Sequence, residues 1–316
     1  MASAREAASV EALAGRLERP LWIEWPRAVY IFARRKPLGA FGGLIIIAMI
    51  FMAIITATPA AGLVAPYGYN QQNYDVLMEK PSRAHLFGTD RNGRDELSRV
   101  IYGARFSVFV GFGAIALAQA ISATIGVISG YYGGKFDTFF QRLVDIIMSF
   151  PSLVLLISVM VILQDTFGRA PNRVLIELIL AIGLLFAFAS SRITRGAVIA
   201  MKNNVYMEAA RAIGARDLRI ITRYVLPNVF PVIIVIATVQ LGFAILTEAS
   251  ASFLGYGVPP PFPAWGRILS EDRQDFQFAP WLSIAPGVAI MLVVYGFNML
   301  GDGLRDVLDP RMRGSR

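Results

Sequence analysis

Side chains able to do chemistry are scarce in this sequence of 316 residues, which holds one histidine and no cysteine. That excludes disulfides and thiolate metal sites, and it argues against a histidine-based metal site or a histidine general base. A phosphate-cradling loop is missing as well. The single Gly-Lys pair, Gly134-Lys135, is followed by Phe136, and Ser129 stands where the first glycine of a Walker A motif belongs. Neither G-x-S-x-G nor H-E-x-x-H occurs, so the chain reads as non-catalytic. What remains are polar groups inside apolar runs. An ionisable group at the middle of a membrane helix costs about 2.5–3.5 kcal/mol and is a functional candidate for that reason. Gln240 and Glu248, two helical turns apart, are candidates for a polar lining or gate of a solute path, or for hydrogen bonds to a neighbouring helix. Asp145 reads as interfacial, held by Arg142 or by a partner subunit, and Glu177 as lying at the outer interface.

The elements that position these groups follow from where charge is absent. Hydrophobic residues make up 55% of the chain and charged residues only 16%, against about 25% in a soluble domain. That composition excludes both a water-soluble surface and a disordered chain. Residues free of Asp, Glu, Lys and Arg run 37–74, 106–134, 146–164, 178–191, 224–247, 249–266 and 276–301. A spanning helix needs about 20 mostly apolar residues. The 249–266 run fails, because prolines 259–261 and 263 would leave backbone groups unpaired in lipid. The remaining runs predict six spans, at 38–58, 106–129, 139–164, 174–191, 229–250 and 284–300, with a kink at Pro151 in the third. Pairs at small-xxx-small spacing, Gly39/Gly43 and Gly126/Gly130, offer close helix packing.

Ahead of the first span, Trp22, Trp25 and Tyr30 followed by Arg34-Arg35-Lys36 predict an interfacial helix over 20–37 rather than a signal peptide. With the N-terminus inside, the cytoplasmic pieces carry 20 basic residues and the outer pieces 10, which places both termini in the cytoplasm. The net charge of +8 is thereby assigned to cytoplasmic loops, not to nucleic-acid binding. Arg91, Arg94, Arg99 and Arg105 are candidates for anchors at outer headgroups. The segment 255–283, with Trp265 and Trp281, is expected to be an ordered outer loop near the headgroups.

The cytoplasmic segment 192–228 is longer than most helix-to-helix connections. Within it, Glu208, Ala209, Ala210 and Arg211 favour helix and Gly214 is a natural stop, which predicts a helix of about two turns along the membrane face. Glu208 is expected to pair with Arg211 or with a basic group on another protein. Leu226-Pro227 then opens the fifth span.

Glu208-Ala209-Ala210, three residues, Gly214, nine residues, then two more before Leu226-Pro227 resembles the EAA loop of binding-protein-dependent ABC importer permeases. Tyr224 stands where the general motif has an aliphatic residue. Further stretches resemble the dipeptide and oligopeptide "C" branch: His85-Leu86-Phe87-Gly88-Thr89-Asp90, Gly130-Tyr131-Tyr132-Gly133-Gly134, Ser252-Phe253-Leu254-Gly255 and Gly301-Asp302-Gly303-Leu304-Arg305-Asp306. The resemblance covers residues 37–313.

It implies an all-α polytopic membrane protein with six helices of the type I ABC importer permease fold, in the bacterial inner membrane. A tail and interfacial helix would occupy 1–37, the first span and outer loop 38–104, the permease domain 105–306 and a cytoplasmic tail 307–316. It implies that Glu208, Ala209, Ala210, Arg211, Gly214, Leu226 and Pro227 couple to a cytoplasmic ATPase through a helix docked in a cleft of that subunit. The implied partners are a second homologous permease, two ABC ATPases, an extracytoplasmic solute-binding protein and membrane lipid. No cofactor or metal is expected on this chain, ATP being used by the ATPases. Peptides are the implied solutes, with nickel chelates or oligosaccharides as the alternative within the family. An ATP-independent secondary carrier is the more distant reading, because the chain has few intramembrane charges and no visible internal repeat.

Overall fold

Proline at a first helical position costs no backbone hydrogen bond, and three long helices open that way in the computed structural model, which describes residues 29–168 and 170–308. Residues 29–35 are helical; the remainder of the expected interfacial helix lies outside the described residues, as does the end of the C-terminal tail. Helix α1 spans Pro37–Ile55. Two short 3-10 turns, Pro59–Leu63 and Tyr74–Val76, punctuate the loop between α1 and the next long helix. Helix α2, Glu96–Tyr132, is capped by the Asp95 carboxylate, which accepts the Ser98 N–H at 2.8 Å. It ends where Gly133 takes φ +68°. Helices α3 (Gly134–Met148) and α4 (Ser152–Phe167) follow, then α5 (Pro171–Lys202), α6 (Val205–Ala212) and α7 (Asp217–Ile220). A π turn at Ile221–Val225 leads into α8 (Leu226–Phe253). Short α9 (Trp265–Asp272) and long α10 (Pro280–Leu308) complete the chain. Among the described residues there is no strand, only an isolated bridge between Thr89 and Asp95.

Five helices are long and apolar enough to cross a membrane, and six crossings result if α3 and α4 count as one. That pair corrects the expected third span. Residues 139–164 do not form one kinked helix: α3 and α4 meet at 92° around Ser149–Pro151. The carboxylates of α3 explain the elbow. Asp137 pairs with Arg195 at 2.5 Å and Asp145 with Arg192, so α3 advances eight residues while α5 advances three. Such a helix lies obliquely across α5 instead of running beside it. The residue holding Asp145 is therefore Arg192, with Arg142 more distant at 3.9 Å.

Two helices run beyond the spans expected within them. Helix α5 contains the expected fourth span, 174–191, and continues to Lys202, where Arg192 and Arg195 find carboxylates on α3. Likewise α2 starts at Glu96, ahead of the expected span 106–129, with Arg99 paired to Asp90 of the preceding loop.

The main core lies between α2, α5, α8, α1 and α10, around residues such as Ala114, Ala118, Ile182, Ile245 and Phe297. The glycines set its closest approaches. A Cβ at Gly126 would sit 2.7 Å from Thr194 Cβ and 2.8 Å from the Ser191 carbonyl, and one at Gly130 would sit 2.9 Å from Val198 Cβ. Lys36 meets Asp306 at 2.5 Å, so α1 enters and α10 leaves on one side of the bundle. On α1 the working pair is Gly39 and Gly42, not Gly39 and Gly43: Gly39 faces Gly303, and Gly42 lies against the Gly296 carbonyl. Outward-facing Leu44, Ile47, Phe51 and Ile54 on α1, with Phe109, Ile176, Phe243 and Met291 elsewhere, form the apolar coat that lipid or a neighbouring subunit covers.

The two neighbouring glycines provide a discriminating test. Gly42→Ala should lower stability by about 1–3 kcal/mol through overpacking. Gly43→Ala, whose Cβ would meet Leu300 at an ordinary 3.7 Å, should change it by less than about 0.5 kcal/mol. Thermal unfolding of the purified protein in one detergent measures both.

Candidate functional site

The sequence Val205-Tyr206-Met207-Glu208-Ala209-Ala210-Arg211-Ala212 folds as the two-turn helix expected of it, because it contains strong helix formers and a built stop. The Gly214 N–H donates to the Arg211 carbonyl at 2.9 Å and the Ala215 N–H to the Ala210 carbonyl at 3.0 Å. This is a Schellman motif, and Gly214 takes its φ of +80°, where a side chain would be strained. One face of α6 is tied down: Met207 and Ala210 are buried in a small second core with Val127 of α2, Val198 of α5 and Ile220, Val225 and Val229 beyond. The other face is open. Glu208, Ala209 and Arg211 are exposed, flanked by Val205, Ile213 and Leu218, each more than 70% exposed.

The expected Glu208–Arg211 pair does not form; among the described residues Glu208 makes no ion pair. Arg211 turns instead over the ring of Tyr131, 5.9 Å from its centroid. The fifth span also begins earlier than Leu226-Pro227. Helical backbone runs from Asp217 through the π turn into α8, and this widened turn accommodates the missing N–H of Pro227. Asn228 Nδ2 donates to the Tyr224 carbonyl, one turn back, at 2.7 Å. Leu226 is half-buried beside the second core and Pro227 is exposed.

Gln240 and Glu248 prove to occupy different surroundings. Gln240 Oε1 accepts from Gln119 Nε2 at 2.7 Å and from Ser190 Oγ at 2.8 Å, joining α8 to α2 and α5. It also lines a cavity of about 750 Å³ with Phe186, Ile193, Val235, Val239, Asp302 and Arg305. Asp302 and Arg305 lie near Asp306 on α10, so this cavity extends from the side that carries α6 toward mid-bundle. Glu248 is fully buried, accepting from Ser252 Oγ at 2.6 Å and Ser107 Oγ at 3.4 Å, and it does not line that cavity. Glu177, in the second turn of α5, is likewise buried.

Spacing gave little sign of the charged cluster at the opposite end. Arg99, only 1% exposed, donates to Asp90 Oδ2 at 2.8 Å and to Glu271 Oε2 at 2.6 Å. Arg94 reaches the same two carboxylates at 2.6 and 3.0 Å, while Arg91 pairs with Asp275. Arg94 and Arg99 are therefore structural ties between the outer loop, α2 and α9, not headgroup anchors; Arg105 remains exposed. Trp265 is also interior, its indole N–H donating to the Val100 carbonyl at 2.8 Å beside Gly103. The i,i+4 pair Asp90/Arg94 was a legible clue, but the Glu271 partner lies 172 residues beyond Arg99. Burial raises the Glu271 carboxyl, but Arg99, Arg94 and Arg267 outweigh it and hold it below its ordinary value. Asp272 is pushed up to about 7 by burial, against the pull of Arg99, with Asp90, Glu271 and Asp275 adding repulsion.

A helical bundle of membrane-spanning length, with a solute-sized cavity beside its buried polar seam, defines the class: a multi-pass membrane permease. Comparison with known proteins narrows this. The chain belongs to the binding-protein-dependent transport system inner membrane component family, whose pattern matches residues 122–314, and it is an inner-membrane permease of the ABC importer type. Residues 27–81 match the N-terminal TM domain of oligopeptide transport permease C. It is 41% identical over 280 residues to the dipeptide transport system permease protein DppC of Alkalihalophilus pseudofirmus, covering 89% of this chain and 88% of that one. Identity to the glutathione transport system permease protein GsiD of Pectobacterium atrosepticum is 37% over 280 residues, covering 88% and 89%. The fold is shared with a chain of the MetNI methionine ABC transporter in an inward-facing form, at TM-score 0.55 and 19% identity, over 67% of this chain and 96% of that one.

The outer cluster gives a pH prediction. An aspartate normally near 3.8 and held near 7 when folded leaves the folded state with the extra proton between those values, so stability falls as pH rises from about 4 to about 7. Asp272→Asn should flatten that limb of a thermal-unfolding profile and make the protein more stable than the parent at pH 8. A variant with the parent's slope would assign the dependence to another group.

Proposed function

We propose that this chain is one of two non-identical permease subunits of an ATP-driven importer for peptides or similar solutes, supplying half of the translocation path. In this reading α6 docks against a cytoplasmic ATPase, the outer loops face an extracytoplasmic solute-binding protein, and both termini are cytoplasmic. The chain itself binds no cofactor and breaks no bond.

The observation that carries the proposal is the two-sided character of α6. Met207 and Ala210 clamp it to the bundle, while Glu208, Ala209 and the apolar Val205, Ile213 and Leu218 face outward with nothing over them. A helix fixed on one face, with Glu208 and the small Ala209 exposed on the other and apolar Val205, Ile213 and Leu218 flanking them, suits insertion into a groove of another protein. The likeness to permeases named for dipeptide and for glutathione supports peptide-like solutes. So does a cavity of about 750 Å³ with apolar walls and a few polar groups. The excess of basic residues on the α6 side supports a cytoplasmic location for α6. ATP binding would draw the coupling helices of both permeases together and exchange inward for outward access, a rigid-body switch biased by a ligand.

The test is reconstitution of the whole complex in vesicles with labelled dipeptide. Glu208→Ala and Gly214→Val should each reduce ATP-driven uptake by roughly tenfold, the Gly214 change by forcing a β-branched residue into a left-handed turn. Both variants should insert into membranes at parent levels. Parent uptake by both would refute the docking role, and uptake by this chain without any ATPase would refute the importer reading.

A further inference from the structure

The α6 segment has three routes into the bundle, and two of them are covalent. It follows α5 after Asn203 and Asn204, and it continues through α7 and the π turn into α8. Helix α2 has no such junction; it meets the segment only through side chains. Among the described residues, the hydrogen bond and the cation contact that reach from α2 to this segment both run through Tyr131. Its ring is 5% exposed in the last turn of α2. The phenol donates to Asp217 Oδ1 at 2.8 Å, in the first turn of α7. Arg211 of α6 and Lys202, the last residue of α5, each place their charge 5.9 Å from the ring centroid, within reach of its negative face.

One side chain of α2 thus touches the end of α5, the end of α6 and the start of α7. At the other end of the same helix, Arg99 is locked to Asp90 of the outer loop and Glu271 of α9. The 32 residue steps from Arg99 to Tyr131 make a rod of about 48 Å at 1.5 Å per residue. Between them α2 also supplies Gln119 to the polar seam at Gln240.

We propose that Tyr131 is a positioning residue that transmits displacement of α6 to α2, linking the α6 face mechanically to the seam and to the outer cap. The proposal rests on α6 being the docking element for the ATPase. Asp217 holds the phenol, the two cations hold the ring, and α2 follows the coupling segment because these contacts leave it little freedom to slip. A purely structural residue would affect the amount of folded protein. A transmitting residue affects how much solute moves for each ATP hydrolysed.

The full transporter in vesicles, with its binding protein and a dipeptide, measures that ratio. Tyr131→Phe keeps the ring and loses the bond to Asp217; it should lower solute moved per ATP by roughly threefold to tenfold, the range of one ordinary net hydrogen bond. Tyr131→Leu loses the cation contacts too and should lower the ratio further. Combining Tyr131→Phe with Asp217→Asn should cost no more than the larger single effect, since both break one bond. Because the chain has no cysteine, a single cysteine introduced at Ala209 reports docking by cross-linking to the ATPase. A retained cross-link with a reduced ratio supports transmission through Tyr131. A retained cross-link with the parent ratio in both Tyr131 variants overturns it. No cross-link in the otherwise parental chain overturns the docking reading and this proposal with it.

Discussion

The close approach of α2 to α5 is the constraint on which the other features depend. It exists because Gly126, Gly130 and Gly183 present no side chain where Thr194, Val198 and Leu117 need the space. In lipid, where burial of apolar surface does not drive helix association, such contact is bound together by dispersion and by polar bonds across the seam. Gln119, Ser122, Ser190 and Thr194 supply those bonds at the same interface. Once the two helices are side by side, Gln240 of α8 is drawn in by the Gln119–Ser190 pair, and the cavity opens beside it. The same proximity sets Tyr131, at the end of α2, beside Lys202, at the end of α5, and so creates the floor on which α6 rests.

Charge is handled differently at the two ends of this pair. At the α6 end, Arg192 and Arg195 extend α5 beyond its apolar stretch and hold α3 across it, which forces the right-angled elbow into α4. At the opposite end, Arg94 and Arg99 are enclosed by Asp90, Glu271 and the helix start itself. A buried ion pair of this kind owes its persistence to mutual charge compensation, since an arginine left alone there would be far more costly than the pair is favourable. The cluster thereby welds two segments distant in sequence into one cap over the bundle, with the Trp265 indole bonded to the backbone of α2 beneath it.

Much of the fold was legible because its signals are local. The 37–74 gap in charge located α1, the gaps at 224–247 and 276–301 located most of α8 and α10, and prolines 259–261 fall, as expected, in a break in the helical backbone. Gly214 was readable as a helix stop because only its own φ matters there. The misjudged points were ones where a distant partner cancels a local rule. Arg192 and Arg195 looked like loop residues, yet they lie in the continuing helix α5 and pair with carboxylates on α3. Arg99 looked like a headgroup anchor until Glu271 closed over it. Gly43 fitted the four-residue spacing, yet the crossing of α1 and α10 brings Gly42 against Gly296 instead.

By itself, then, the sequence determined the membrane environment, the all-helical class and the two-turn helix ending at Gly214, since hydropathy, helix propensity and turn chemistry act over a few residues along one chain. Tertiary structure decided which polar groups meet. Gln240 and Glu248 are equivalent in sequence terms, two polar residues in one apolar helix, but one faces a cavity through the Gln119–Ser190 pair and the other is sealed between two serines. Tyr131 carries no sequence mark of its position above Asp217 and between two cations. The physical reason is the same in each case: the energy of a buried polar group is set by partners within about 3–4 Å, and those partners come from helices far away in the chain.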